Sequence, residues 1–149
     1  GTNSVQAADL VFRKLSNKNG DIIDKYLDLI KKECDLEGDK IKPFINELNY
    51  QINILQQFTY WIKDKIQNSK DDASAACNDY LKALGFIATA HAWIKALEVS
   101  FKEYDSNKNF YEDKIQTAKF YFKRVLPRAE SHFKTAITGS DYIMNFKFN

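Results

Sequence analysis

The stretch that decides the fold is IKPFINELNYQINILQQFTYWIKDKI, residues 41–66. Its core-compatible positions are Ile41, Ile45, Leu48, Ile52, Leu55, Thr59, Ile62 and Ile66, separated by alternating steps of 4 and 3. Side chains three and four apart stack on one face of an α-helix, whereas a half-buried strand repeats every second residue. Sustained over several heptads, the spacing predicts one long helix whose stripe packs against partner helices. Pro43 is compatible with this, because the first helical turn does not need that N–H.

Toward the C-terminus the signature recurs twice. Cys77, Tyr80, Leu84, Ile87, His91, Ile94 and Phe101 form one stripe, with Ala83, Gly85, Ala88, Ala90 and Ala92 small enough for close helix approach. Tyr111, Ile115, Ala118, Phe122, Val125, Ala129, His132 and Ala136 form the other. NSKDDAS, residues 68–74, reads as the intervening turn, with Ser69 and Asp72 in a capping arrangement. YDSNKN, residues 104–109, reads as the next, with Asn109 as helix cap and Glu112 three residues on. Gly139 and Ser140 close the last helix and leave the tail DYIMNFKFN.

Toward the N-terminus, LEGD at residues 36–39 is a break, preceded by a shorter helix over residues 21–35. Ile23, Leu27, Ile30 and Cys34 line its inner side, and Asp21 and Asp24 lie in its first turn, where the helix dipole favours acids. SNKNG, residues 16–20, separates it from a first block in which Val5, Ala8, Phe12 and Leu15 make a short stripe. Only 5 Gly and 2 Pro punctuate 149 residues, so the elements are long. Three helices of about 28 residues, at about 1.5 Å per residue, are rods of about 40 Å joined by short turns. The predicted fold is all-α, an up-and-down four-helix bundle with a short additional N-terminal helix.

Composition excludes several functions. The 22 basic and 20 acidic residues are spread without a run of one sign, which argues against a nucleic-acid surface. No segment approaches the roughly 20 apolar residues of a membrane span, so a soluble, cytoplasmic protein is expected. Cys34 and Cys77 stand alone, without CxxC or neighbouring His, and read as buried reduced thiols. Pro127 lies inside the last stripe, removes a bond to the carbonyl of Lys123 and should bend the helix there.

Chemistry is sparse. His91 and His132 fall on stripes of neighbouring helices, yet a dimetal bundle needs Glu-x-x-His, and residues 88 and 129 are Ala88 and Ala129. Both read as core or boundary histidines. GxSxG, GxGxxG and phosphate-cradling glycine loops are absent from the sequence. Trp61, Trp93, Phe120 and Phe122 read as core aromatics, while Phe146 and Phe148 in the tail fit docking onto a neighbouring subunit or domain. No catalytic or metal-ligating residue is expected.

The first residues add a resemblance. Gly1-Thr2-Asn3-Ser4-Val5-Gln6-Ala7-Ala8-Asp9-Leu10 with Arg13-Lys14-Leu15 resembles the end of the catalytic domain of FAD-dependent acyl-CoA dehydrogenases. The likeness is to the long bacterial subgroup with an extra C-terminal helical domain, whose pattern is Tyr-Glu-Gly-Thr-Asn-Gly-Ile-Gln-Ala, then Asp-Leu and Arg-Lys-Leu. ATAHAW from Ala88 to Trp93, Phe110-Tyr111 with Lys114, Ala118-Lys119-Phe120-Tyr121-Phe122 and Leu126-Pro127-Arg128-Ala129 resemble that helical domain. Residues 36–75 match only in helical pattern.

The resemblance implies a parent enzyme that converts acyl-CoA to 2-enoyl-CoA in fatty-acid or related metabolism. There the motif Glu removes the α-proton while flavin takes the β-hydride. It implies substrate contact at Gly1 and FAD contact at Thr2, Asn3 and Ser4, with Ser4 departing from the subgroup's Gly. Residues 1–16 would end the catalytic domain and residues 20–149 would form the accessory bundle. The expected partners are acyl-CoA, an electron-transfer acceptor and further copies in a homo-oligomer. The chain starts without Met, its only Met being Met144, and is expected to be a non-catalytic part of the longer enzyme, with the base preceding Gly1. The competing expectation is a stand-alone helical protein-interaction module.

Overall fold

A computed structural model describes residues 1–16 and 21–147. Seven α-helices make up the described chain, with no strand among the described residues: α1 (Thr2–Asp9), α2 (Ile22–Glu33), α3 (Lys42–Asn68), α4 (Lys70–Lys102), α5 (Lys108–Phe120), α6 (Arg128–Ala136) and α7 (Asp141–Met144). α1 runs on as a π-helical segment (Leu10–Leu15), and α5 as another (Tyr121–Val125). The expected helical bundle is borne out. Most of SNKNG, residues 17–20, and Phe148 lie outside the described residues.

Cross-helix contacts give the directions. Lys63 pairs with Asp24 and Lys31 with Gln56, so positions advance on α2 as they retreat on α3. α3 and α4 are likewise antiparallel, linked by Ser69 alone, with Thr59 opposite Tyr80. The expected turn over residues 68–74 therefore shrinks to one residue, extended at φ −156°, and α4 already contains Asp72. α4 is the central rod and packs against α1, α3, α5 and α6.

The decisive stripe holds entirely: Ile41, Ile45, Leu48, Ile52, Leu55, Thr59, Ile62 and Ile66 are all buried. So are Ile23, Leu27, Ile30 and Cys34 of the α2 region. Pro43 sits in the first turn of α3. Gly38, at φ 136°, supplies the left-handed residue of the break before α3.

Three stripes shift. On α4 the buried row is Ala73, Ala76, Tyr80, Ala83, Ile87, Ala90, Ile94 and Leu97, leaving Leu84, His91 and Phe101 only half-buried. The small residues lie inside because the central helix is approached from several sides; Gly85 and Ala92 instead face outward. In the first helix Val5 is 67% exposed, and Ala7, Val11 and Leu15 are buried. At the other π segment the Leu126 N–H donates to the Tyr121 carbonyl, five residues back, at 2.9 Å. The inserted residue moves burial from Val125 to Leu126, after which Ala129 and Ala136 resume the core row. Pro127 follows immediately and α6 restarts after it, so the expected interruption is present.

Other local expectations are corrected as well. Asn107, not Asn109, caps α5, its side chain accepting from the Phe110 N–H at 3.3 Å. Phe120 is 61% exposed, whereas Phe122 is buried and Trp61 and Trp93 pack against the core.

Ser69 is the N-cap of α4, as expected, but its side chain makes no cap hydrogen bond to the helix backbone, and Asp72 also makes a longer-range bond. The Ser140 N–H and hydroxyl both donate to Asp72 Oδ1 at 2.8 Å, while Lys65 lies 3.3 Å from Oδ2. This fastens the end of α6 to the start of α4. Gly139 at φ 77° makes the approach possible, since a Cβ there would come within 3.0 Å of Asp72 Oδ1.

The Ser140 hydroxyl and N–H, helped by Ser69, hold the Asp72 carboxyl down from its ordinary 3.8 to about 2. A depressed folded-state value contributes stability above the unfolded value and loses it as pH falls from about 4 toward 2. Asp72→Asn should therefore lower the urea midpoint at pH 7, and the gap from the unsubstituted chain should narrow toward pH 2. A gap of constant size across that range would show that the charge on Asp72 does not matter.

Candidate functional site

Gly1 is the N-cap of α1 and Thr2, Asn3 and Ser4 form its first turn, so helix geometry brings the four positions together on an exposed surface. α1 is fixed from behind by Ala7 and Val11, both 0% exposed, and by Leu15. Ser4 also touches the central rod, its Oγ accepting from Asn78 Nδ2 at 3.4 Å. A Cβ built on Gly1 meets nothing within 4 Å, so that side of the turn is open. Asn78 was not anticipated from the sequence, since its role depends on how α1 lies across α4.

The two histidines are kept apart. His91 Nε2 lies 3.0 Å from Glu33 Oε2, and Lys95 lies 3.2 Å from the same oxygen, which ties the end of α2 to α4. Lys95 first, then His91, lowers the Glu33 pKa. His132 Nδ1 lies 2.7 Å from Asp79 Oδ1, and its ring stacks on Phe86 with centroids 5.8 Å apart. Their carboxylate partners lie on different helices, and Asp79 and His91 are about 18 Å apart along α4 at 1.5 Å per residue. The reading as boundary histidines holds. Among the described residues no cluster of three or more His, Cys, Asp or Glu side chains could hold a metal ion.

The thiols are no better placed for chemistry. Cys34 and Cys77 are free and buried, and burial pushes each pKa up to about 11. Near neutrality both are thiols, which are poor nucleophiles compared with thiolates. Cys77 donates to the Ala73 carbonyl at 3.2 Å, as a structural residue would.

The most buried polar pair is also structural. Thr59 donates to the Leu55 carbonyl at 2.8 Å, so the Tyr80 hydroxyl, 2.8 Å away, donates to Thr59 Oγ1. Desolvation raises the Tyr80 pKa and keeps the phenol protonated as that donor. No described helix is long and apolar enough to cross a membrane.

The geometry is thus a helical scaffold whose first helix starts on an exposed polar surface. No curated protein matches the sequence significantly. The family model described as acetyl-CoA dehydrogenase C-terminal like matches residues 26–147, nearly the whole bundle from α2 to the tail. The chain belongs to the acetyl-CoA dehydrogenase C-terminal-like family.

Proposed function

We propose that this chain is the C-terminal region of a FAD-dependent acyl-CoA dehydrogenase, with residues 1–16 ending the catalytic domain and residues 20–149 forming the accessory bundle. The observation that carries the reading is the exposed Gly1–Ser4 turn held on α4 by buried Ala7 and Val11. A stub fixed to the bundle in this way would couple the accessory domain to the catalytic one. The family match over residues 26–147 supports the same parent.

The exposed turn fits a contribution to a cofactor wall. Thr2 and Ser4 offer hydroxyls, Asn3 offers a carboxamide, and the start of α1 offers backbone N–H groups suited to anionic groups. Flavin, when bound, supplies the hydride acceptor for α,β-dehydrogenation. Gly1 leaves the space of a side chain free for acyl-CoA. In this reading the general base precedes Gly1, the chain alone is catalytically silent, and the bundle shapes the acyl entrance or the interface of a cytoplasmic homo-oligomer. An electron-transfer acceptor would then serve the parent enzyme.

The test begins with the gene, where Tyr-Glu codons directly before Gly1 are expected. In the parent enzyme, Thr2→Ala with Asn3→Ala should lower flavin content per protomer without moving the bundle's thermal transition. An unrelated upstream residue, or full flavin content in the double variant, would overturn the reading.

A further inference from the structure

The C-terminal tail turns its largest apolar side chains to solvent. In α7 (Asp141–Met144), Tyr142 is 85% exposed, Ile143 66% and Met144 63%. Three consecutive apolar side chains left open in this way mark an interaction surface. Their position is fixed, because Ser140 just before them donates through its N–H and hydroxyl to Asp72 at the start of α4.

At the other end of the bundle lies a cleft of about 360 Å³, lined by Lys40, Phe44, Phe101, Tyr104, Ile115 and Lys119, with Glu112. α3 brings Phe44 in its first turn, α4 brings Phe101 in its last, and α5 brings Ile115 and Lys119. Its floor is apolar and firm: Ile115 is buried, and Phe44 packs edge-on against buried Phe122 with centroids 5.2 Å apart. Its rim carries both signs. Hydrogen bonds from Gln116 and Tyr104 hold the Glu112 pKa down, so Glu112 stays ionised in a cleft that also holds Lys40 and Lys119. The adjoining hollows add Glu37, Asp39, Glu98 and Glu47. An apolar floor inside a mixed rim suits an apolar segment of little net charge. Residues 141–147 are such a segment, with Asp141 as their acid and Lys147 as their base.

The tail cannot fill the cleft of its own chain. Asp72 and Phe101 are about 43 Å apart along α4 at 1.5 Å per residue, whereas Met144, so close behind Ser140, reaches at most about 14 Å from it even fully extended. A second copy lying antiparallel brings each tail to the other's cleft. One flank joins the two features: α5 and α6 follow each other along it, and Tyr50 of α3 donates to Glu130 of α6 at 3.3 Å. A two-fold pair makes the contact twice and closes on itself.

We propose that Tyr142, Ile143 and Met144 of one copy lie in the cleft of a second, antiparallel copy, forming a two-fold dimer. The inference rests on the chain's own surfaces and is independent of the acyl-CoA reading of Gly1–Ser4.

Sedimentation equilibrium of the full chain tests it. The dimer should dominate at about 1 mM and dissociate toward about 10 μM, as suits a small interface, with nothing larger formed. Ile143→Asp with Met144→Asp should weaken it about tenfold or more while the helical circular dichroism stays unchanged. Tyr60→Asp, at a side chain 67% exposed and about 24 Å along α3 from Phe44, should leave it intact. A short bismaleimide locates the contact. Tyr142→Cys and Lys119→Cys chains should crosslink when mixed and neither should crosslink by itself, Cys34 and Cys77 being buried. A chain monomeric at about 1 mM, growth beyond dimers, a dimer indifferent to the tail substitutions, or crosslinking that does not depend on mixing would overturn the proposal.

Discussion

Phe58→Ala should lower stability by about 3–5 kcal/mol, the usual range for removing a fully buried aromatic ring. Phe58 is 0% exposed and sits where three helices meet. Its ring lies 5.1 Å from Tyr80 of α4, edge-on, 5.2 Å from Phe133 of α6 and 6.2 Å from Trp61 on its own helix. Such pairs add roughly 0.5–1.5 kcal/mol each beyond area burial. Truncation therefore opens a void under the Thr59–Tyr80 hydrogen bond as well as losing apolar contact. In a domain of this size each kcal/mol moves the melting temperature by roughly 2–4 °C, so a drop on the order of 10 °C is expected. Phe120→Ala provides the contrast, since that ring is 61% exposed. It should stay within about 0.5 kcal/mol of the unsubstituted chain. Equal losses at the two positions, measured by urea unfolding, would mean that the aromatic cluster does not hold α3, α4 and α6 together.

Phe58 itself shows how far the sequence could be read. The α3 stripe was legible because isoleucine and leucine repeat at regular steps along it, yet Phe58 and Gln51, both buried, fall between those steps. They are inside because α3 is covered along more than one line, which a single-stripe reading does not register. The centre of the bundle misleads for a related reason. On α4, Leu84 and Phe101 outrank alanine in hydrophobicity, but Ala76, Ala83 and Ala90 occupy the closest approaches and the larger side chains are displaced to the boundary. The two π segments add a residue to a turn, and a fixed helical period applied across them selects Val5 and Val125 where burial selects Ala7 and Leu126. Pro127 was the visible trace of the second; the first left none.

The surfaces divide in the same way. Gly1–Ser4 are consecutive, so one helical turn keeps them together, and their significance was legible only through resemblance. Lys40, Phe101 and Lys119 come from a break, the end of one helix and the last turn of another. Nothing in their linear spacing brings them together; the cleft they line lies where the start of α3 meets the ends of α4 and α5.

Filling the small positions of the central rod should be the other severe change. Ala83 is 2% exposed and Ala90 0%, on the face of α4 turned into the bundle. Leucine at either position brings three extra carbons to a place where helices already approach closely, and overpacking of this kind typically costs about 1–3 kcal/mol. Leucine is nearly as good a helix former as alanine, so backbone propensity neither adds to nor offsets that loss. The two positions are two turns apart, about 10 Å along the axis, and their effects should add to roughly 2–6 kcal/mol in the double variant. Ala92→Leu, on the outer face of the same helix, should be nearly neutral. Thermal unfolding followed by circular dichroism separates these outcomes, and a double variant as stable as the Ala92→Leu control would mean that α4 is not closely packed. If the loss appears, the consequence extends beyond stability. α4 carries Asn78, which touches Ser4, and Phe101, which floors the cleft about 35 Å away. A helix forced outward at Ala83 and Ala90, between those two residues, would disturb the N-terminal turn and the cleft through one rigid element.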